Sequence, residues 1–296
     1  MRYFVPTLAL GALLPPQTQL NDKFGGLPWG LPADKWPLCR ECGNPQTHLA
    51  TFLHSAERLD LGAEGRAVLI FQCGRAPNET NCETFTADGG ANAVVFLDAH
   101  ELGSDLTEPP APGAFKEIEM RVTEWVEKHD LVTAESESWF YTADGFWGER
   151  DEARQVVEDS IEDGARLGSV PCWVQEPENV DSAFRFAAQL SMYYHFPDPI
   201  PSADAVGVVV SVRRSMEGLP PFDPSRWDPS LIYDVQKPAD PDPALRGQIY
   251  FSDSTFERYG SGFDVEATEF GPGGKGYLFV HPDPISPRGL FMWQCG

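Results

Sequence analysis

Four cysteines in the first third of the chain constrain its fold more than any other feature. Cys39 and Cys42 stand two residues apart, and Cys73 and Cys82 follow with eight residues between them. Zn²⁺ takes four thiolates in a tetrahedron at about 2.3 Å, and a Cys-x-x-Cys turn presents two of them from one tight loop. Gly43 suits such a turn because glycine tolerates a positive φ. We therefore predict that these four cysteines hold a structural zinc ion, since four thiolates leave no position open for water.

Three other interpretations of the cysteines stay open: two disulfides, a redox-active pair, or four unrelated core residues. A redox-active pair is typical of a helix N-terminus, where the thiol pKa falls, but Gly43, Asn44 and Pro45 follow Cys42 and disfavour a helix. Six cysteines among 296 residues also do not make a disulfide scaffold.

The charge balance of the chain is strongly acidic. Lys and Arg number 22 against 45 Asp and Glu, which gives a formal net charge of −23. A negative field of this size repels nucleic acid and anionic membranes and favours cationic partners, so we predict a basic protein or peptide as the client. A generic acidic surface that keeps the protein soluble is the alternative interpretation.

The apolar opening, residues 4–14, is the one segment that could be a leader sequence. We interpret it as part of the folded protein because it is short, is interrupted by Pro6 and lacks a small-x-small cleavage site. No run of about 18 apolar residues occurs, so no membrane span is predicted. Asn78-Glu79-Thr80 is a glycosylation sequon only in a secreted chain, and a reduced thiol site favours the cytoplasm.

The spread of 27 Pro and 27 Gly predicts short elements separated by turns, with strands dominant. Apolar or alternating runs predict strands at 67–71, 93–97, 118–122, 205–212, 248–251, 277–280 and 290–293. Helical periodicity is clearest at 149–164, in a stripe formed by Ala153, Val156, Val157, Ser160 and Ile161. The acids of that helix predict a solvated outer face or, alternatively, a docking surface.

Two stretches of the sequence share one order of residues. Residues 23–28 read Lys-Phe-Gly-Gly-Leu-Pro, and residues 166–171 read Arg-Leu-Gly-Ser-Val-Pro, each followed by two strand-like segments. A repeat this long predicts two copies of one subdomain packed against each other. Within a single domain, residues 1–130 would form the first repeat, which carries the zinc site, and 131–296 the second. Chance similarity between β-rich segments is the alternative.

This order of motifs resembles the YwqG-like family, a bacterial domain of unknown function. The motifs are residues 23–28, Trp36-Pro37, Cys39-x-x-Cys42-Gly43, Phe71-Gln72-Cys73, Gly168-x-x-Pro171-x-Trp173-Val174-Gln175 and the closing residues 291–295. The family is distantly similar to the programmed cell death protein 2 group, whose members are dedicated chaperones for a nascent ribosomal protein. The resemblance implies a strand-rich α+β fold of two intertwined repeats, and protein or peptide binding rather than catalysis.

The later half of the chain departs from the family pattern. Many relatives carry a second Cys-x-x-Cys-Gly turn there, whereas residues 174–183 contain no cysteine. Cys172, His281 and Cys295 are the only candidates for a remnant of that site. Their scatter is more typical of a buried thiol, a surface imidazole and a terminal packing thiol, so a second zinc is not predicted.

Sequence motifs for catalysis are not found, since the chain has neither a Gly-x-Ser-x-Gly elbow nor a His-Glu-x-x-His helix. We predict a cytoplasmic, non-catalytic, zinc-stabilised binding module, chaperone-like for a basic client. Its ligand site would be an aromatic-lined, acid-rimmed cleft between the repeats. Two alternatives stay open: an immunity or antitoxin protein, and an enzyme that uses carboxylates in that cleft.

Overall fold

The computed structural model describes residues 1–74, 82–110, 114–213, 233–251 and 262–296. Strands dominate these residues and the helices are short, so the strand-rich class predicted from the sequence is confirmed. The strands are β1 (Arg2–Leu10), β2 (Lys23–Phe24), β3 (Thr47–Leu53), β4 (Ala67–Gln72), β5 (Asn92–Leu97), β6 (Lys116–Glu117), β7 (Met120–His129), β8 (Arg166–Gly168), β9 (Arg185–Ser191), β10 (Tyr193–Phe196), β11 (Val209–Arg213), β12 (Tyr233–Gln236), β13 (Leu245–Arg246), β14 (Gln248–Tyr250), β15 (Phe263–Glu266), β16 (Lys275–His281) and β17 (Arg288–Gln294). The helices are α1 (Ala143–Trp147), α2 (Glu152–Asp159) and α3 (Ala203–Val206). The sequon at 78–80 lies outside the described residues.

Ten strands form one large sheet in the order β17-β16-β9-β8-β1-β7-β2-β3-β4-β5. Every neighbouring pair in it is antiparallel. The edge strands β5 and β17 lie against each other: a methyl group on Gly289 of β17 would fall 2.4 Å from Cγ1 of Val94 in β5. The sheet therefore nearly closes on itself.

The apolar opening of the chain forms β1 at the centre of the large sheet. β1 pairs with β7 from Arg2 to Leu10 and with β8 at Tyr3 and Phe4. Pro6 has no N–H for the ladder, and it stands beside a register shift between Thr7 and Leu8 where the pairing is irregular. A strand that contains a proline is thus accommodated next to a bulge.

Five strands form a second sheet in the order β10-β15-β14-β11-β12, and β6 pairs with β13 in parallel. The second sheet packs on the large one, because the main apolar core holds Phe24 and Phe52 of the large sheet together with Tyr194 and Phe263 of the second. The rings of Phe24 and Tyr194 lie 5.0 Å apart. This packing brings the segment before β13 next to residues 116–119.

The helix predicted at 149–164 is wrong in its bounds. Asp151 caps α2 by accepting the backbone N–H of Arg154 at 2.8 Å, and the helix ends at Asp159. The hydroxyl of Ser160 donates to the carbonyl of Val157 at 2.6 Å and accepts the N–H of Leu131 at 2.9 Å, so it competes with a further helical turn. The predicted apolar stripe is also wrong at Val156, which is 52% exposed.

The strand predicted at 205–212 begins too early. Ser202 caps α3, and Gly207 ends it with φ 73°, a left-handed conformation that glycine adopts freely. Strand β11 starts only at Val209. In the described part of the chain no helix is both long and apolar enough to cross a membrane.

Candidate metal centre

The turn that carries Cys39 and Cys42 is fixed by its own backbone. The N–H of Gly43 donates to the carbonyl of Cys39, and the N–H of Cys39 donates to the carbonyl of Asn44, both at 2.8 Å. Gly43 has φ 74°, and nothing lies within 4 Å of the position a Cβ would take there. Its requirement for glycine is therefore conformational and not steric. The turn directs two thiols to one side, as the sequence predicts.

Cys73 and Cys82 come from the segment between β4 and β5, and Cys73 lies at the same end of the sheet as the turn before β3, because Thr47 pairs with Gln72. Cys73 directly follows β4, and its N–H donates to the carbonyl of Ala91 at 2.7 Å. The segment after Cys82 is held by Asn92 of β5, whose side-chain amide donates to the carbonyls of Thr84 at 3.0 Å and Thr86 at 2.8 Å. Strands β4 and β5 thus position the second pair of sulfurs.

The structure brings all four predicted ligands together. The sulfur atoms of Cys39, Cys42, Cys73 and Cys82 lie within 4.8 Å of one another, and Sγ of Cys42 is 3.6 Å from Sγ of Cys73. In a tetrahedron with Zn–S bonds of about 2.3 Å, two sulfurs stand about 3.8 Å apart. All six cysteines lie in the described residues, and the structure forms no disulfide between them. The two-disulfide interpretation is therefore not the arrangement found.

The protonation of the thiols depends on burial and on each other. Burial, with a hydrogen bond to Cys42, raises the pKa of Cys73 far above its usual range, and burial with hydrogen bonds to Cys39 and Cys42 raises the pKa of Cys82 to about 11. At Cys42 burial also acts to raise the pKa, but the N–H of Asn44 and the other thiols outweigh it and lower the pKa. A bound cation would favour the thiolate form at all four positions.

The donor set fits a thiophilic divalent metal. Cys39 is 1% exposed and Cys73 is 7% exposed, while Cys42 and Cys82 are half-buried at the surface side. Four sulfur donors without a carboxylate or water position are typical of structural zinc or iron sites. Such an ion, when bound, would cross-link the two segments that carry the cysteines, and the four sulfurs would be its full set of ligands.

Cys172, His281 and Cys295 are not brought together as a second site. The sulfur of Cys172 accepts from Nη2 of Arg166 at 3.3 Å, and the ring of His281 lies 6.0 Å from that of Phe184. The only group of three or more candidate ligands within the described ranges is the four-cysteine cluster.

Sequence reasoning missed a buried carboxyl in a cavity of about 250 Å³, which we call the Glu117 cavity. Residues 116–119 meet Val206, Asp242 and Leu245 there. Glu117 is 6% exposed, and its Oε2 has no hydrogen-bond partner. Burial raises its pKa to about 7, although the charge of Arg246 opposes the shift. Its neighbour Glu119 is polar too, and this i, i+2 pattern in the sequence is more typical of a solvated strand face.

The comparisons with known proteins add no relative. No protein-family model and no curated protein matches this chain. The function therefore has to be argued from the residues themselves.

Proposed function

We propose that the protein is a metal-stabilised, non-catalytic module that binds a basic protein or peptide. The observation that carries this proposal is that its lysines form ion pairs with carboxylates of the same chain. Lys23, Lys35, Lys116, Lys128 and Lys275 each form an ion pair with a carboxylate. With acids outnumbering bases 45 to 22, the carboxylates left over dominate the surface field. Such a field attracts a cationic polypeptide and disfavours nucleic acid and anionic membranes.

The metal in this proposal is zinc, held by Cys39, Cys42, Cys73 and Cys82. The all-sulfur donor set supports it, and a thiolate site of this kind is stable where thiols stay reduced. The proposal therefore places the protein in the cytoplasm. The metal has a structural role, because four thiolates leave no position for a substrate.

A duplicated fold is part of the same proposal, and the strand order of the large sheet supports it. Outward from the central pair β1–β7 lie β2, β3, β4 and β5 on one side and β8, β9, β16 and β17 on the other. The first wing belongs to the proposed repeat 1–130 and the second to 131–296. In each wing, the strands lie in chain order from the centre of the sheet to its edge.

Local details of the two wings support the duplication independently. In β3 the extra residue of a register shift directly precedes Ala50, which pairs with Ile70, and in β9 the extra residue directly precedes Ala188, which pairs with Leu278. The backbone of the shared motif also has positive φ at the same two positions in both repeats. Gly25 and Gly26 have positive φ, and so do Gly168 and Ser169, the one non-glycine residue of the described chain with positive φ.

The buried cations that open the two motifs make the same contact. Nζ of Lys23 donates to the carbonyl of Leu27, and Nη2 of Arg166 donates to the carbonyl of Val170, each at 2.5 Å and each four residues later in the chain. These parallels support kinship with the YwqG-like family, whose two-repeat pattern the sequence resembles.

A carboxylate enzyme is the weaker proposal. The oxygens of Glu119 accept from Lys23 at 2.9 Å and from Arg121 at 2.5 Å, and Asp242 pairs with Lys116 at 2.8 Å. Glu117 is the one carboxyl of this cavity without such a partner in the described residues. Paired acid and base chemistry needs two groups with separate roles, so a single unengaged carboxyl favours binding over hydrolysis.

Capture of partners from the native host tests the proposed function. We expect a polypeptide of high isoelectric point, and its affinity for the purified full chain should fall at least about tenfold between 50 and 300 mM NaCl because salt screens the attraction. A matched control is the same titration with the client's lysines acetylated, which should weaken binding because each acetylation removes one positive charge. Recovery of no polypeptide, or an affinity that is flat with salt, would contradict the proposal.

A further inference from the structure

The Glu117 cavity is walled mainly by aliphatic side chains. Leu10, Leu27, Ile118, Val206 and Leu245 line it, together with Leu106, which is 39% exposed. One water needs only about 10–15 Å³ of such space, so the cavity of about 250 Å³ holds a short organic chain. Walls of this kind favour methylene groups over polar groups.

The polar part of the lining carries an excess of negative charge. It contains the carboxyls of Glu117, Glu119 and Asp242 against the single ammonium of Lys116. Glu119 and Asp242 are already paired with cations, so only Glu117 is left without a partner. The nearby guanidinium of Arg246 stacks on the ring of Phe115, 3.3 Å from its centroid, and makes no hydrogen bond to Glu117.

An unpartnered carboxyl in an aliphatic cavity is an unfavourable arrangement unless a ligand completes it. A buried polar group without a partner destabilises the folded state, and more so when it is charged. A ligand that fits must therefore combine an aliphatic chain with one compact cationic end.

We propose that the Glu117 cavity binds an alkylammonium group, with its chain along Leu10, Ile118 and Leu245 and its ammonium paired with Glu117. This inference rests on the proposed function, since it makes a lysine side chain of the basic client the natural occupant. The same chemistry is offered by a free aliphatic amine, and the experiment separates the two sources.

The protonation state of Glu117 supports this assignment. Burial raises its pKa to about 7, so the empty cavity holds a mostly neutral carboxyl at slightly acidic pH, and a cation would displace the proton. The other charged groups around it are Glu119 and Lys116 beside it in sequence, Asp242 before β13, Arg246 on β13, and Glu269. Of these, Arg246 lowers the pKa of Glu117 and Glu269 raises it.

Calorimetric titration of the full chain with n-butylammonium at pH 8 and low salt tests the proposal. We expect Glu117→Gln to weaken binding at least tenfold, because it removes the charge and keeps the shape. Glu152→Gln, which neutralises an exposed acid on α2, should change it less than twofold. The neutral isostere n-butanol should bind at least tenfold more weakly than n-butylammonium. Equal binding by Glu117→Gln and wild type, or by n-butanol and n-butylammonium, overturns the proposal.

A second arm identifies the source of the ammonium. Tighter binding of Nα-acetyl-lysine N-methylamide than of n-butylammonium supports a lysine side chain as the occupant, and the reverse order supports a free amine. Should Glu117→Gln fail to fold, Leu106→Trp in the lining of the cavity should weaken the binding of both ligands at least tenfold, because the larger side chain fills part of the space. Wild-type protein at pH 6 should then release close to one proton per ligand, and its failure to do so overturns the proposal.

This inference and the proposed function fail in different ways. If the basic client binds Glu117→Gln as tightly as wild type, the cavity assignment is wrong and the binding module stands. If n-butylammonium binds through Glu117 but the host yields no basic client, the module is wrong and the amine site stands.

Discussion

Buried polar side chains in this protein differ in whether their hydrogen bonds are satisfied. His48 is 2% exposed, yet its Nδ1–H donates to the carbonyls of Gly25 and Gly26, each at 3.1 Å, and its Nε2 accepts from the hydroxyl of Thr51 at 2.8 Å. Burial, together with the charge of Lys23, lowers the pKa of His48 to about 3. The ring is therefore neutral and fixed in one tautomer, whereas Glu117 has no such partners.

The free energy of unfolding should depend on pH because Glu117 is buried without a hydrogen-bond partner for Oε2. An unfolded glutamate ionises near 4.5, while burial raises the folded pKa to about 7. The folded state therefore holds the proton more tightly, and the contribution of Glu117 is lost as pH rises from about 4.5 through 7. Glu117→Gln should then stabilise the protein by about 3 kcal/mol at pH 8 and by less than about 1 kcal/mol at pH 5.

Denaturant unfolding of Glu117→Gln and wild type at both pH values checks this prediction. Glu152→Gln serves as the control, because an exposed carboxyl should leave the difference within about 0.5 kcal/mol at either pH. A stability difference that is the same at pH 5 and pH 8 would show that Glu117 ionises normally in the folded protein.

At the scale of elements, the turn at 39–43 and the described residues after β4, 73–74 and 82–91, meet at the cysteine cluster. Few apolar contacts secure them: the local cluster contains Cys39, Cys73 and Ala91, with Cys42 and Cys82 packed against it. Glu41 links the loops by accepting the N–H of Glu83 at 2.8 Å. A metal ion would add four bonds to this small cluster, so its loss should destabilise the end of β4 and the beginning of β5.

Metal removal should destabilise the protein measurably. We expect one zinc per chain by elemental analysis, and a chelator should lower Tm by at least about 5 °C because metal binding is coupled to loop folding. Cys73→Ser should lose the metal and the response to chelator. Cys172→Ser is the matched control, since Cys172 lies outside the cluster, and it should keep both. A wild-type Tm that does not change when the chelator is added would argue against a structural ion.

The elements that sequence reasoning recovered are those with the strongest local signal. The continuous apolar run at 67–71 predicts β4, which is buried on both faces. The helix at 149–164 was too long because periodicity does not reveal that Ser160 bonds Leu131, a contact made only in the folded chain. β1 went unassigned because Pro6 breaks a strand pattern unless a bulge accommodates it, and that bulge depends on the pairing with β7. The four cysteines were predictable from spacing, whereas Glu117 stands out only by its burial.

At the scale of the whole molecule, the seam between β5 and β17 joins the two wings of the large sheet. A Cβ on Gly289 would fall 2.4 Å from Cγ1 of Val94 and 3.2 Å from Cε2 of Phe96. Gly289→Ala should therefore push the edge strands apart and destabilise the protein by about 1–3 kcal/mol. Gly164→Ala, where nothing lies within 4 Å, should change stability by no more than about 0.5 kcal/mol. Equal denaturation midpoints for the two variants would show that the seam is loosely packed.

The nearly closed sheet also limits how the proposed client could bind. Exposed strand edges invite other chains to join as extra strands and to nucleate fibres, and here the outermost strands of the large sheet shield each other. A peptide could add to the sheet as an extra strand only after β5 and β17 had separated. On the proposed function, a client that binds this face would do so through side chains that enter cavities, so its sequence would matter more than its extended backbone.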